Sequence, residues 1–261
     1  MKFSPLYSGS SGNCSLVSDG VTNILVDAGM TGKAIVSALN DVGADPAKLS
    51  AIVVTHEHSD HIKAVGIISR KYNVPVYANA GTWKAMAPLI GDVAMRNIRT
   101  FVTGQNFYIG DIDLTPFPIS HDAAEPVGYT FFSKGARLVY MTDTGHVSPA
   151  LRETASGADL LFLEANHDVD MLKNGPYPYQ LKRRILSDRG HLSNDAAGEL
   201  LTGLYSTGAR RVILAHLSRE NNTERIAYET VRARLSEDGI AEKDFFVAVA
   251  HRDRVTGIFE L

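Results

Sequence analysis

The chain has 261 residues, 44% of them apolar, and a formal net charge of −3. That length admits one large domain or two small ones, with an apolar share sufficient for a sizeable core. The charge excludes a global basic field, so any polyanion would have to be held by a local patch or by bound cations. Cys14 is the single cysteine and cannot form an internal disulfide. This predicts a reducing, cytoplasmic setting and a small core residue at that position. Residues 1–13 hold no apolar signal core, and no run approaches the roughly 20 apolar residues of a membrane helix.

Strands are predicted at Lys2–Tyr7, Cys14–Val17 and Asn23–Val26. The link between the first two, Gly9-Ser10-Ser11-Gly12-Asn13, is rich in donors. It reads either as a hairpin connection or as an anion cradle. Asp27 closes the third strand, where a buried carboxylate needs partners unless it caps the next helix, a role for which Thr31 competes. That helix spans 32–42, with Ile35, Leu39 and Val42 on one face. Ala51–Thr55 then reads as a buried strand running into His56-Glu57-His58-Ser59-Asp60-His61, and Ile62–Tyr72 as a helix. The knot therefore sits where a strand ends and a helix begins, the crevice in which open α/β sheets bind ligands. Residues two apart on an extended segment project the same way, so His56 and His58 can grip one ion. As the chain bends into the helix, Asp60 and His61 turn toward a neighbouring point. Imidazole and carboxylate together suit zinc, iron or manganese.

Beyond the knot, Asn73–Ala78 reads as a strand and 81–90 as a helix in which Trp83 packs. Residues 98–119 read as a meander (98–102, 106–109 and 112–119) that delivers His121. A strand resumes at 125–131. Ala136–Met141 and Asp159–Leu163 are buried strands that present Asp143 and Glu164 at their ends. Helix 180–187 carries Lys182, Arg183 and Arg184. Gly190-His191-Leu192-Ser193-Asn194 opens a helix over 196–205 with a serine or asparagine cap. Arg211–Ala215 ends in His216, and Asn221-Asn222-Thr223 caps a helix reaching Asp238. Strands are expected at 245–250 and 255–261, joined by a solvated hairpin turn at His251–Arg254. With no linker, low-complexity tract or repeat, one domain over 1–261 is expected.

His56-x-His58-x-Asp60-His61 after a hydrophobic strand resembles the metallo-β-lactamase superfamily. The resemblance implies an α/β fold: an αββα sandwich of two mixed β-sheets flanked by helices. It also implies two divalent metal ions, zinc or manganese, with iron possible. One would lie on His56, His58, His121 and Asp143, the other on Asp60, His61, His216 and Asp143, with Asp27 supporting from behind. Two ions roughly 3.5–4 Å apart activate a shared water and clamp the reacting group, which suits hydrolysis of esters, thioesters, amides or phosphodiesters. The resemblance gives the catalytic roles to Asp60, His191 and Glu164. His191 exceeds the ligand count. With Glu164 it is similar to the pair that faces the departing oxygen in the RNase Z-like branch, and an alkoxide leaving group needs a proton.

Ser8–Cys14, His121-Asp122-x-x-Glu125-Pro126-Val127-Gly128, Tyr177-Pro178-Tyr179-x-Leu181-Lys182 and Ala215-His216-Leu217-Ser218-x-Glu220-Asn221-Asn222 look like the YycJ/WalJ group. That likeness implies a DNA exonuclease of 5′-to-3′ direction. Lys182, Arg183, Arg184 and Arg189 are candidates for holding a nucleic-acid backbone; a solvated helix face accounts for them as well. Two other expectations stand beside this one: a small-molecule thioester or lactone hydrolase, and a non-catalytic, metal-stabilised nucleic-acid-binding protein.

Overall fold

A computed structural model describes all 261 residues. The strands form two mixed sheets flanked by helices. The chain divides into two compact units: 1–118 with 123–136 and 251–261, and 119–122 with 137–250.

In the first unit, β1 (Lys2–Tyr7), β2 (Cys14–Ser18) and β3 (Asn23–Val26) run antiparallel. β4 (Ala51–Val53), β5 (Val76–Asn79) and β6 (Ile98–Phe101) then extend the sheet in parallel. The C-terminal strand Phe259–Glu260 pairs with the outer edge of β1. β4 is short, apolar and wholly buried, as a parallel strand covered on both faces must be. The helices are α1 (Gly32–Asp41), the single turn α2 (Ser59–Ile62), α3 (Val65–Tyr72) and α4 (Ala80–Ile90). Thr31 caps α1 by accepting from the Ala34 amide, which leaves Asp27 for other partners. Trp83 packs as expected, donating from its ring nitrogen to the Arg99 carbonyl at 2.8 Å. A meander of β7 (Phe107–Ile109), β8 (Ile112–Pro118) and β9 (Val127–Ser133) completes the unit. Cys14 is fully buried and unbridged.

In the second unit, β10 (Ala136–Met141), β11 (Leu160–Glu164), β12 (Arg211–Ala215) and β13 (Phe246–Val249) are parallel neighbours in that order. Their connections carry α5 (Pro149–Ala155), α6 (Val169–Asn174), α7 (Tyr179–Ile185), α8 (Asn194–Tyr205) and α9 (Glu224–Glu237). Ser193 and Thr223 cap α8 and α9.

Three expectations change. The predicted helix 62–72 is broken, because the Ala64 amide is drawn to the Ala28 carbonyl at 2.8 Å and cannot continue the helical ladder. β6 does not open the meander; it pairs with β5, a contact of long sequence range that local pattern does not encode. The segment 251–254 is no hairpin turn, since β13 pairs with β12 while Phe259–Glu260 pairs with β1.

Candidate functional site

Within each unit most of the candidate side chains lie at the C-terminal ends of parallel strands, where such sheets place ligands; His121 follows the antiparallel β8 and His191 precedes α8. In the first unit, β4 runs through Val54 and Thr55 into His56. The His56 and His58 ring centroids lie 4.6 Å apart, and those of His56 and His61 4.1 Å apart. Asp27, fully buried beyond β3, holds the group from behind. Its Oδ1 accepts from the Thr55 amide at 2.8 Å, and its Oδ2 accepts from the Thr55 hydroxyl at 2.8 Å and meets His61 Nδ1 at 2.7 Å. Burial pushes the Asp27 carboxyl upward, while His61 and the bonds from Thr55 pull against it.

These bonds set the tautomers. Facing a carboxylate, His61 carries its proton on Nδ1, which leaves Nε2 a lone pair. The Thr55 hydroxyl gives its proton to Asp27, so its oxygen receives the proton on His56 Nδ1 at 3.0 Å. His56 Nε2 is then also a lone-pair nitrogen. Metal-ligating histidines are oriented through their second nitrogen in this way. Asn13 Nδ2 approaches His61 Nε2 at 3.0 Å and Asp60 Oδ2 at 3.3 Å. A Cβ on Gly29 would fall 1.6 Å from the Asp60 carbonyl oxygen, so only glycine allows that approach. Glu57 points to the Ala124 amide at 2.7 Å, a structural bond.

In the second unit, Asp143, Glu164 and His216 stand at the ends of β10, β11 and β12. Ligand-type atoms of Asp143, Glu164, His191 and His216 lie within 4.8 Å of one another. His216 Nδ1 is 2.8 Å from Asp143 Oδ1. That is the reach of a direct hydrogen bond or ion pair, shorter than the roughly 3.4 Å between two ligands on one tetrahedral ion with bonds of about 2.0–2.1 Å. His121 Nδ1 is 3.1 Å from the Gly190 carbonyl. A carbonyl only accepts, so the proton is on Nδ1 and Nε2 again has the lone pair. In residue type the donor sets of both units fit divalent metal ions: imidazoles, of which His56, His61 and His121 are held in one tautomer, beside carboxylates.

Glu164 is fully buried. Its Oε1 lies 2.7 Å from His191 Nδ1, and its Oε2 accepts from the amides of Thr144 at 2.8 Å and Leu192 at 3.1 Å. The carboxylate is thus anchored by backbone on one side and by His191 on the other. The His191 ring centroid is 5.1 Å from that of His121 and 5.3 Å from that of His216.

The basic candidates are partly committed within the chain. Arg184 pairs with Asp122, Arg189 donates to the His121 carbonyl at 3.2 Å, and Lys182 donates to the Lys173 carbonyl at 2.7 Å. The two arginines brace the loop that carries His121. Thr55 and Asn13 escaped sequence reasoning. For Thr55 the available signal was a strand-end hydroxyl directly before a ligand-type histidine. A third was His167, buried to 1% exposure with neither ring nitrogen bonded to another protein group. Burial pulls its imidazole down to about 4; His191 adds to that pull, and Glu164 and Asp168 oppose it.

A fold with two mixed sheets and histidine–aspartate clusters at strand ends defines a metal-dependent hydrolase. Residues 22–217 match the β-lactamase superfamily domain, and the chain belongs to that family. It is 42% identical to exodeoxyribonuclease YycJ of Bacillus anthracis, over 94% of this chain and 93% of that protein. It is 40% identical to exodeoxyribonuclease WalJ of Streptococcus pneumoniae, over 100% of this chain and 98% of that one. Among solved structures, the metallo-β-lactamase fold protein YhfI of Bacillus subtilis superposes with a TM-score of 0.71 at 20% identity, covering 97% of each chain. Zn²⁺-bound PqqB of Methylobacterium extorquens gives 0.75 at 18% identity over the whole of both chains. These likenesses establish the metallo-β-lactamase fold, and the fold implies divalent metal ions. No helix is long and apolar enough to cross a membrane.

Proposed function

We propose that the chain is an exonuclease that hydrolyses DNA phosphodiesters with two divalent metal ions. The two units act as one domain over 1–261. One ion would be held by His56, His58, His121 and Asp143, and the other by Asp60, His61, His216 and Asp143. When bound, such a pair activates water and neutralises charge on the reacting phosphate. Asp27 and Thr55 fix the tautomers of His56 and His61, and Gly190 fixes that of His121. Asp60 would be a carboxylate ligand of the second ion. The names of the YycJ and WalJ relatives support a DNA substrate and a nuclease reaction.

The observation that carries the reading is the bond from His191 to Glu164 at 2.7 Å. A buried carboxylate locked by two backbone amides has one rotamer, so it holds the imidazole in one orientation. His191 then keeps its proton on Nδ1 and presents Nε2 as the atom that exchanges a proton. A deoxyribose alkoxide is a poor leaving group and departs well only when protonated. A thiolate or an activated phenolate needs no such help.

The test is direct. With Mn²⁺ or Zn²⁺, purified protein should hydrolyse bis(p-nitrophenyl) phosphate and shorten end-labelled duplex DNA. Elemental analysis should find about two ions per chain, and fewer in His216→Ala. Inertness toward both substrates in the metal-loaded protein refutes the proposal.

A further inference from the structure

The outward face of α7 is unlike that of an ordinary solvated helix. Leu181 is half-buried and Ile185 buried, so these two mark the inward side. Tyr179, Arg183 and Leu186 are spaced by four and then three residues, which lines them along the opposite side of the helix. Tyr179 is 70% exposed and Leu186 46%. Arg183 Cζ lies 5.9 Å from the centre of the Tyr179 ring, at the outer reach of a cation–π contact. Unlike Lys182, Arg184 and Arg189, Arg183 makes no hydrogen bond or ion pair within the chain. A largely bare aromatic ring and an uncommitted guanidinium thus stand side by side.

Charge and position say what covers this face. Residues 173–189 carry five cations, Lys173, Lys182, Arg183, Arg184 and Arg189, and the single anion Asp188, in a chain whose net charge is −3. The occupant is therefore anionic and also presents something flat to the ring. The C-terminal end of α7 runs directly into the proposed proton donor. The His191 amide bonds the Ile185 carbonyl at 3.0 Å, and the Gly190 amide bonds the Ser187 carbonyl at 2.8 Å. Arg184 forks onto both oxygens of Asp122, next to His121. The helix is thereby fixed to His191 and to the loop of His121. At 1.5 Å per residue, Tyr179 stands about 10 Å along the helix from its His191 end.

We propose that the Tyr179–Arg183 face is a stacking platform for a single strand of DNA. The Tyr179 ring takes the flat face of one nucleobase, and Arg183 takes the phosphate beside it. Basic residues interleaved with exposed aromatics are the pattern by which proteins hold single strands. The proposal rests on the DNA-exonuclease reading and deepens it, because it says which part of the substrate is gripped away from the reacting linkage. A base reaches the ring only when it is out of the double helix, so the gripped strand is unpaired at this point. Every base has a π-face, so the grip is indifferent to sequence. That suits an enzyme that must move along any strand it digests.

Binding tests this at the level of one base. Full-length metal-loaded protein is titrated against two fluorescent single strands with the same phosphorothioate backbone, one of thymidines and one abasic throughout. The parent should bind the thymidine strand more tightly. Tyr179→Ala should weaken that binding about five- to thirtyfold, the scale of one base–aromatic stack, and leave the abasic strand unchanged. Tyr179→Trp should keep the parent's affinity. Arg183→Ala should weaken both strands alike and lower the slope of the salt dependence by about one. Tyr108→Ala, which removes a tyrosine 65% exposed on β7, should change neither. A Tyr179→Ala protein that binds thymidines as the parent does overturns the proposal and hands the face to a protein partner. Equal loss on both strands also overturns it, since the ring would then act only through Arg183 or the fold. Hydrolysis of bis(p-nitrophenyl) phosphate and of end-labelled DNA by the parent is followed in the same preparation. Inertness toward both defeats the nuclease reading and the platform with it, whereas turnover of DNA without dependence on Tyr179 defeats the platform alone.

Discussion

Glu164→Gln tests the proposed chemistry with the smallest change of shape. In the parent, Glu164 Oε2 accepts from the amides of Thr144 at 2.8 Å and Leu192 at 3.1 Å, and Oε1 faces His191 Nδ1 at 2.7 Å. A glutamine must keep its oxygen on the two amides, because an NH₂ group there would confront two N–H donors. Its NH₂ therefore faces His191 Nδ1 and forces that nitrogen to accept. The ring proton moves to Nε2, and the ring cannot take up a second proton on Nδ1 without donor meeting donor. The loss is a charge-assisted hydrogen bond, worth about 1.5–3 kcal/mol. This predicts that kcat/KM on DNA falls about tenfold to about 150-fold. Bis(p-nitrophenyl) phosphate, whose phenolate leaves without a proton, should stay within about threefold of the parent. The assay is steady-state kinetics on both substrates at one metal concentration, with metal content and circular dichroism confirming an intact protein. A similar loss on both substrates would mean that Glu164 acts through the metals or the fold. No loss on DNA would remove His191 from proton transfer altogether.

Two further outcomes follow from the buried groups behind the site. Thr55→Val strips one donor from Asp27 and the acceptor from His56 Nδ1, and should cost about 1–3 kcal/mol in urea unfolding. It should also lower metal affinity roughly 10- to 100-fold; an unchanged midpoint with unchanged affinity refutes the supporting role. His167 stays neutral in the folded chain down to about pH 4, whereas an unfolded histidine takes a proton near pH 6.5. The unfolded chain binds more protons across that window. This contribution is therefore fully present above about pH 6.5 and lost progressively as pH falls toward 4. The loss reaches about 2 kcal/mol at pH 5. His167→Leu should remove that share of the acid dependence between pH 7 and pH 5, and identical slopes in parent and variant would refute it.

Much of the site could be read from the chain because its residues stand at the ends of short apolar runs. Val53, Met141, Leu163 and Ala215 each lie one to three residues before a carboxylate or histidine, and a buried strand projects its end toward the crevice whatever the strand order. The caps Thr31, Ser193 and Thr223 were legible for an equally local reason: each side chain bonds an amide three residues on. What failed was long-range. The break at 63–64 depends on a carbonyl at Ala28, and the placement of β6 on a partner strand some twenty residues earlier. The roles of Arg184 and Arg189 depend on the loop at His121, more than sixty residues away. Periodicity and propensity weigh neighbours along the chain and carry no information about such partners.

The backbone itself marks the same positions. Five non-glycine residues have positive φ, and three of them are Asp27 at 61°, Asp143 at 58° and His216 at 53°. Each follows a buried strand, β3, β10 or β12, by one or two residues. A left-handed conformation costs a residue with a Cβ roughly 1–2 kcal/mol. Glycine would adopt it without that cost, so relief was chemically available at every one of the three. A chain shaped for stability alone would place glycine there, as it does at the left-handed turns of Gly43 and Gly239. Aspartate and histidine at these positions carry a side chain that glycine would lack, and the cost of the turn is offset by what that side chain contacts. At Asp27 the offsetting gain is visible: its amide bonds the Val53 carbonyl at 2.9 Å, and its carboxylate takes two bonds from Thr55 and one contact to His61. At Asp143 and His216 the side chains meet each other at 2.8 Å. That contact is itself part of the gain that offsets the two turns, and it sets a carboxylate and an imidazole side by side, the pairing that divalent metal ions take as ligands.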